Sequence, residues 1–398
     1  MKSLASRARN LAPSMTVAID TKAKEMIAQG LDVVALGAGE PDFETPQSIK
    51  QAAIDSILQG KTRYTAPDGI LAVKEAVCRK LSRENSLSYQ PSQIVISSGA
   101  KHCVFNALLA LVEPGDEVII GAPYWVTYPE LVRFLGGIPV ILEAGIEQGF
   151  RFTAQQLQDA ITPRTKLVLL NSPNNPSGAV YTKAQLQDFA AIIVKNDLYC
   201  ITDEIYEHMI YEGEHVSIAS LGSDIQERTV VINGVSKSYA MTGWRIGYIA
   251  APQHIASAIA KIQGQATHHP ANASQWASIE ALDHGQSFYI QMRESFRARR
   301  SFVLSELATI PDLTVPSPEG AFYAFPDVRA YYGKRNSHGE VIKGSVDLCN
   351  WLLDSERLAI VPGAAFGMDS CARLSYAASP ETLTEALRRL KRGLASLN

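Results

Sequence analysis

The chain has 398 residues, 46% of them hydrophobic and 19% charged, with a formal net charge of −3. That length exceeds what a single core usually fills, so two unequal domains are expected. The slightly acidic balance offers no basic face for nucleic acid, no apolar run approaches the roughly 20 residues of a membrane span, and five scattered cysteines without a C-x-x-C pair point away from a disulfide framework or zinc site and toward a reducing, cytoplasmic setting.

The first ten residues are basic and rich in Ser and Ala, but no apolar stretch follows them as in a secretory signal. From position 94 onward, short apolar runs alternate with helical patterns. The runs are 94–97, 117–121, 138–142, 166–171, 198–202, 229–233 and 246–250. Several are apolar for most of their length, as strands covered on both faces should be. Helical stretches such as 101–112 and 183–196 lie between them, the first closing at Glu113-Pro114-Gly115-Asp116. This rhythm predicts an α/β fold: a mostly parallel seven-stranded sheet with helices on both faces. It stops near 255. A long helical region with an Arg-rich stretch at 293–300 follows, then an α+β segment that includes 321–325 and 358–361, with a polar, exposed loop expected over 331–344. The expected division is a large domain over 48–290 and a smaller one built from 1–47 and 291–398.

Ligands of open α/β sheets bind beyond the carboxyl ends of the strands, so the residues that follow each strand carry the functional reading. After 94–97 comes Ser98-Gly99-Ala100-Lys101 at a helix start, where free N–H groups and the helix dipole favour an anion such as phosphate. An ordinary tight turn would look the same. After 166–171 comes Asn171-Ser172-Pro173-Asn174-Asn175-Pro176-Ser177-Gly178, a stiff loop that can aim the Asn175 amide at a ligand oxygen. After 198–202 comes Asp203-Glu204-Ile205-Tyr206, an acid and a phenol three residues apart, or simply a helix cap. After 229–233, the sixth run, Gly234-Val235-Ser236-Lys237 puts a lysine among small residues. Burial there leaves a nucleophilic amine, whereas most lysines are surface residues. One crevice thus gathers a phosphate cradle, an acid, a phenol, an amide and an amine. That set matches pyridoxal 5′-phosphate group by group.

With these motifs, and with Gly37-Ala38-Gly39-Glu40-Pro41-Asp42-Phe43, Tyr64 before Gly69, Pro123-Tyr124-Trp125, Ser236 to Gly247 and Arg373-Leu374-Ser375-Tyr376, the chain resembles the class I, fold-type I pyridoxal-phosphate aminotransferases, in particular the prokaryotic-type (Ib) aspartate aminotransferases. The resemblance runs nearly end to end. It implies that Lys237 carries the cofactor as a Schiff base and shuttles the proton, and that Asp203 pairs with the ring nitrogen. It further implies that Tyr206 and Asn175 bond the 3-oxygen and that Trp125 stacks on the ring. Gly99, Ala100, Lys101, Ser236 and Arg245 belong to the cofactor site, with the Ala100 and Lys101 amides and the Arg245 side chain on the phosphate, and Tyr64 reaches it from a second copy in a homodimer. Arg373 grips the substrate α-carboxylate beside Asn175, Trp125 and Gly39, while Lys101, with Thr16 nearby, reads a distal carboxylate. From the residues alone, Arg373 reads as a surface charge at a strand edge, and Lys101 as a solvated helix-start lysine. The resemblance implies amino-acid and 2-oxo-acid substrates, aspartate or glutamate with 2-oxoglutarate or oxaloacetate, with prephenate as a further acceptor. No metal is implied.

Some positions depart from that pattern. Ala100 replaces a frequent glycine, His102-Cys103 a common Gln-Ala, and Gly234 a serine that touches phosphate in many relatives, while His268-His269-Pro270 stands where small hydroxyl residues are usual. Two rival functions share parts of the pattern. A decarboxylase, β-lyase or synthase on the same fold keeps the cofactor but does not need the two-carboxylate pair Arg373 and Lys101. A cofactor-sensing transcription regulator needs an added N-terminal DNA-binding domain, and the aminotransferase pattern already begins by about residue 13.

Overall fold

The computed structural model describes residues 2–11 and 15–398. The expected start of the aminotransferase pattern near position 13 lies outside the described residues. The strands, in chain order, are β1 (Val34–Ala35), β2 (Ile94–Ser97), β3 (Glu117–Ala122), β4 (Ile138–Glu143), β5 (Thr165–Asn171), β6 (Tyr199–Asp203), β7 (Thr229–Gly234), β8 (Gly247–Ala250), β9 (Tyr323–Ala324), β10 (Leu358–Ala359), β11 (Val361–Pro362) and β12 (Ala372–Ser375).

β2 to β8 form one seven-stranded sheet in the order β2-β8-β7-β6-β5-β3-β4. β8 runs antiparallel to both its neighbours, and the other pairings are parallel. Alternation along the strands separates the two faces, since successive side chains point to opposite sides. Val118, Ile120, Leu167, Leu169 and Ile201 share a core with Cys103, Val104 and Leu108 of the helix Ala100–Leu111. Ile119, Val168, Leu170 and Cys200 instead meet Leu186, Phe189 and Ile193 of the helix Lys183–Lys195. Near β2 and β7 that second face is covered by Val73, Ala76, Val77 and Leu81 of the helix Leu71–Asn85. Full burial of a leucine such as Leu108 is worth roughly 1.5–3 kcal/mol, so the sheet is held by its two helical layers.

The remaining strands form two small sheets: β1 parallel to β10, and β11-β12-β9 antiparallel. The β1–β10 pairing ties the N-terminal segment to the C-terminal third. The single run expected over 358–361 is two strands in different sheets, because the chain switches partners at Ile360. The segment expected as an exposed loop over 331–344 is a largely exposed loop, tied down at three points. Tyr331, Asn336 and Ile342 are buried, and an antiparallel bridge joins Arg335 to Val341. Two apolar side chains and the hydrogen-bonded Asn336 fix where it lies.

Candidate active site

The chain steps from the edge strand β4 across β3 to β5. Such a change of direction opens a crevice at the carboxyl ends of the strands. A cavity of about 600 Å³ lies there. Among its lining residues are Thr16, Gly39, Ala100, Lys101, Trp125, Asn175, Asp203, Tyr206, Ser236, Lys237, Arg245 and Arg373. Two of the expected site residues do not line it. Gly99 lies just behind the wall as the residue that starts the helix Ala100–Leu111. Tyr64 is 89% exposed on the surface, with its ring beside those of His268 and His269.

At one end the helix Ala100–Leu111 points its N-terminus into the crevice. Gly99 turns the chain with φ +91°, and a Cβ added there would sit 2.5 Å from Nη2 of Arg245. Arg245 donates to the carbonyls of Thr242 and Ser98. Free amides, a helix dipole and a guanidinium make an anion cradle. Lys101 adds a second cation there, 5.0 Å from the centre of the Trp125 ring. Partial burial and the Arg245 charge push its ammonium below the usual lysine range. Two departures have a structural account. A Cβ on Gly234 would lie 2.7 Å from the Ile246 carbonyl, so only glycine fits between β7 and β8. His102 is turned back on its own loop, where Nδ1 accepts from the Ser98 N–H at 3.2 Å.

At the centre, Asp203 is buried at the end of β6. Its carboxylate accepts from the Tyr128 hydroxyl at 2.8 Å and from the Ile205 N–H at 3.3 Å. The second bond is a local turn contact, and because no helix directly follows β6, the helix-cap reading of this residue falls away. Burial pushes its carboxyl up to about 6. Lys237, half-buried after β7, donates to the Gly39 carbonyl. Burial pushes its amine down to about 8, although Glu40 opposes the shift. The Tyr206 hydroxyl shares a 2.7 Å hydrogen bond with that of Tyr323.

At the other end, Arg373 is buried on β12. It donates to Asn175 Oδ1 at 2.8 Å and to the Gly37 carbonyl at 2.7 Å. Its plane lies against Tyr323 and Phe366, with centroids 4.5 and 4.9 Å away. Nε has no partner, and no carboxylate pairs with the guanidinium among the described residues. A buried guanidinium without an anion is costly, and the small carboxylate of a ligand would complete it.

Pyridoxal phosphate fits this donor set. The cradle suits its phosphate, the buried carboxylate of Asp203, bonded only by neutral donors among the described residues, suits a protonated ring nitrogen, and the depressed amine of Lys237 suits its aldehyde. The sequence pattern missed several lining residues. Tyr128 stands three residues after Trp125, at the start of the helix Thr127–Phe134, with no local signal to mark it. Asn171 holds the loop to β6, its amide donating to the Asp203 carbonyl and its oxygen accepting from the Asn175 N–H, both at 2.9 Å. Tyr323 and Phe366 come from the C-terminal third, with no local signal to mark them.

The family profile for aminotransferase class I and II matches residues 31–390. An aspartate aminotransferase from Bacillus sp. (strain YM-2) is 46% identical over 391 residues, covering 98% of each chain. An aspartate/prephenate aminotransferase from Cereibacter sphaeroides is 45% identical over 388 residues, covering 97% of each. The crystal structure of an aspartate aminotransferase from Rhizobium meliloti superposes with a TM-score of 0.96 at 43% identity, covering both chains fully.

Proposed function

The chain belongs to the class I and II aminotransferases, and from that premise we propose that it moves an amino group from aspartate or glutamate to 2-oxoglutarate or oxaloacetate by ping-pong chemistry. The observation that carries this reading is one cavity that joins the depressed amine of Lys237, the buried carboxylate of Asp203 and the buried guanidinium of Arg373, which no carboxylate among the described residues meets. The names of the relatives support the substrate, and one of them extends it to prephenate.

When bound, pyridoxal phosphate supplies an electron sink for the pair left when a substrate Cα–H bond ionises. The residues of the chain do the rest. The Ala100 and Lys101 amides, Ser236 and Arg245 hold the phosphate, and Trp125 covers the ring. Asp203 keeps the ring nitrogen protonated, and Tyr206 and Asn175 hydrogen-bond the 3-oxygen. Lys237 would anchor the cofactor through its amine, and that amine, once free, would take up the proton leaving the substrate Cα. Burial that lowers the lysine amine favours the neutral form a proton acceptor needs. Arg373, with Asn175 and Gly39, orients the α-carboxylate, and Lys101 with Thr16 receives the distal one. We assign residues 48–290 to a large domain and 1–47 with 291–398 to a small one, Tyr64 to the site of a second copy in a homodimer, and the protein to the cytoplasm.

The test is to mix the protein with aspartate and 2-oxoglutarate. Oxaloacetate and glutamate are expected in equal amounts, and Lys237→Ala removes both activity and borohydride-stable attachment of the cofactor. Release of pyruvate or ammonia without glutamate would mark a lyase instead.

A further inference from the structure

Behind the cavity wall lies a buried polar cluster that the chemistry above does not use. Lys80, on the helix Leu71–Asn85, is 1% exposed and donates to Glu207 and, at 2.7 Å, to Asn85 Oδ1. Glu207 also accepts from Asn85 Nδ2 at 2.6 Å and from Asn233 Nδ2 at 2.7 Å. Next to it, His208 pairs through Nδ1 with the Ser238 hydroxyl at 2.7 Å and through Nε2 with Glu84 at 2.9 Å. Its ring stacks on Tyr289, with centroids 3.9 Å apart.

The positions matter more than the number of bonds. Glu207 and His208 directly follow Tyr206 and lie within five residues of Asp203, while Asn233 and Ser238 bracket Ser236 and Lys237. The β6–β7 ladder ends where Asp203 pairs with Ile232, and the Glu204 N–H adds one more bond to the Ile232 carbonyl. Beyond that point the first segment leaves the sheet while β7 runs on beside β8 to Gly234, and the Glu207–Asn233 and His208–Ser238 bonds cross between the two cofactor-facing segments. Both straps are nailed to the helix Leu71–Asn85 through Lys80, Asn85 and Glu84.

We propose that Glu207 and His208 are positioning residues, whose two buried straps hold the segment carrying Lys237 in register with the segment carrying Asp203 and Tyr206. This rests on the reading of the cavity as a pyridoxal-phosphate site. The grouping of Glu84, Glu207 and His208 also has the geometry of a cation site, but the Lys80 ammonium already stands among these acids, 3.6 Å from Glu84 Oε2. Burial alone would raise the Glu207 carboxyl, and Lys80 with the nearby histidines more than reverses this, so the acid is ionised. A buried lysine and glutamate bonded on most of their polar atoms add rigidity at a defined place. Displacement of reacting groups by about 1 Å can cost on the order of 100-fold in rate.

The experiment uses the holoprotein and three single variants. Glu207→Gln keeps the shape of the first strap without its charge. Ser238→Ala opens the second strap without stranding a charge, and His208→Asn is its conservative counterpart, with an amide able to reach one of the two partners. Glu207→Gln and Ser238→Ala are expected to lower kcat roughly tenfold or more, with KM for aspartate changed less than about twofold. The visible circular dichroism of the bound cofactor, which reports ring orientation, is expected to fall with it, and His208→Asn to lie between Ser238→Ala and the unaltered protein. Folding is checked by the melting temperature. Should Glu207→Gln unfold, Ser238→Ala carries the test alone. Unchanged kcat and dichroism in folded Ser238→Ala overturn the proposal while leaving the cofactor site standing. An unaltered protein that takes up no pyridoxal phosphate, and is not labelled at Lys237 by borohydride, overturns the site reading and the straps together.

Discussion

Asp203 shows how one buried group can carry both a structural cost and a chemical purpose. In the cofactor-free protein its carboxyl is pushed up to about 6, against an ordinary value of 3.8. Between those limits the folded state keeps a proton that the unfolded chain has lost. Stability therefore falls as pH rises from about 4 to 6, by about 3 kcal/mol in all. Denaturant unfolding at several pH values should show that loss in the cofactor-free protein. Asp203→Asn should flatten it, and so should the cofactor, whose protonated nitrogen supplies the missing cation. A steep fall that persists in Asp203→Asn would assign the effect elsewhere. Lys101 is tested by its choice of substrate. If it receives the distal carboxylate, Lys101→Ala lowers kcat/KM for aspartate and glutamate far more than for alanine, which has no such group. An equal loss across all three donors would confine it to phosphate binding.

At the level of elements, the site depends on how closely the start of the helix Ala100–Leu111 can approach its neighbours. Gly99 allows this twice over, by its φ of +91° and by the missing Cβ that leaves room for Arg245. Gly30 has a similar φ of +82° but open space around it. Alanine at either position should cost about 1–3 kcal/mol of backbone strain. Only Gly99→Ala should also weaken cofactor binding, because only there must the guanidinium move. Equal cofactor affinity in the two variants would remove Arg245 from the phosphate cradle. The order of elements was legible in the sequence for the same reason that the sheet is stable. Strands covered on both faces are apolar throughout, and 117–121, 166–171 and 229–233 fall almost residue for residue on β3, β5 and β7. The short strands β9 to β11 were legible only as the runs 321–325 and 358–361, since two residues carry no periodicity that would set their bounds or their sheets. The anchoring of the exposed loop 331–344 was equally hidden, since it hangs on Tyr331, Asn336 and Ile342 among polar neighbours.

For the whole molecule, the open question that experiment can answer is whether two copies share their sites. Tyr64 lies outside the cavity of its own chain, beside His268 and His269. If it serves a second copy, Tyr64→Ala and Lys237→Ala proteins, each poorly active alone, should complement when unfolded together and refolded. Half of the dimers would be hybrids with one intact site of two, giving about a quarter of normal activity. No recovery in a mixture that sizing shows to be dimeric would rule the sharing out. The sequence by itself determined the layered sheet and the residues that follow its strands, because strand periodicity and loop chemistry are local. Gly99, Asn175, Asp203, Tyr206 and Lys237 were found that way. Only the tertiary structure decided that Arg373 is a buried cation facing no carboxylate among the described residues, that Tyr128 and Tyr323 buttress Asp203 and Tyr206, and that Glu207 and His208 bond across to Asn233, Ser238 and a distant helix. Those facts rest on contacts between residues far apart in the chain, and such contacts leave no mark on the neighbours in sequence.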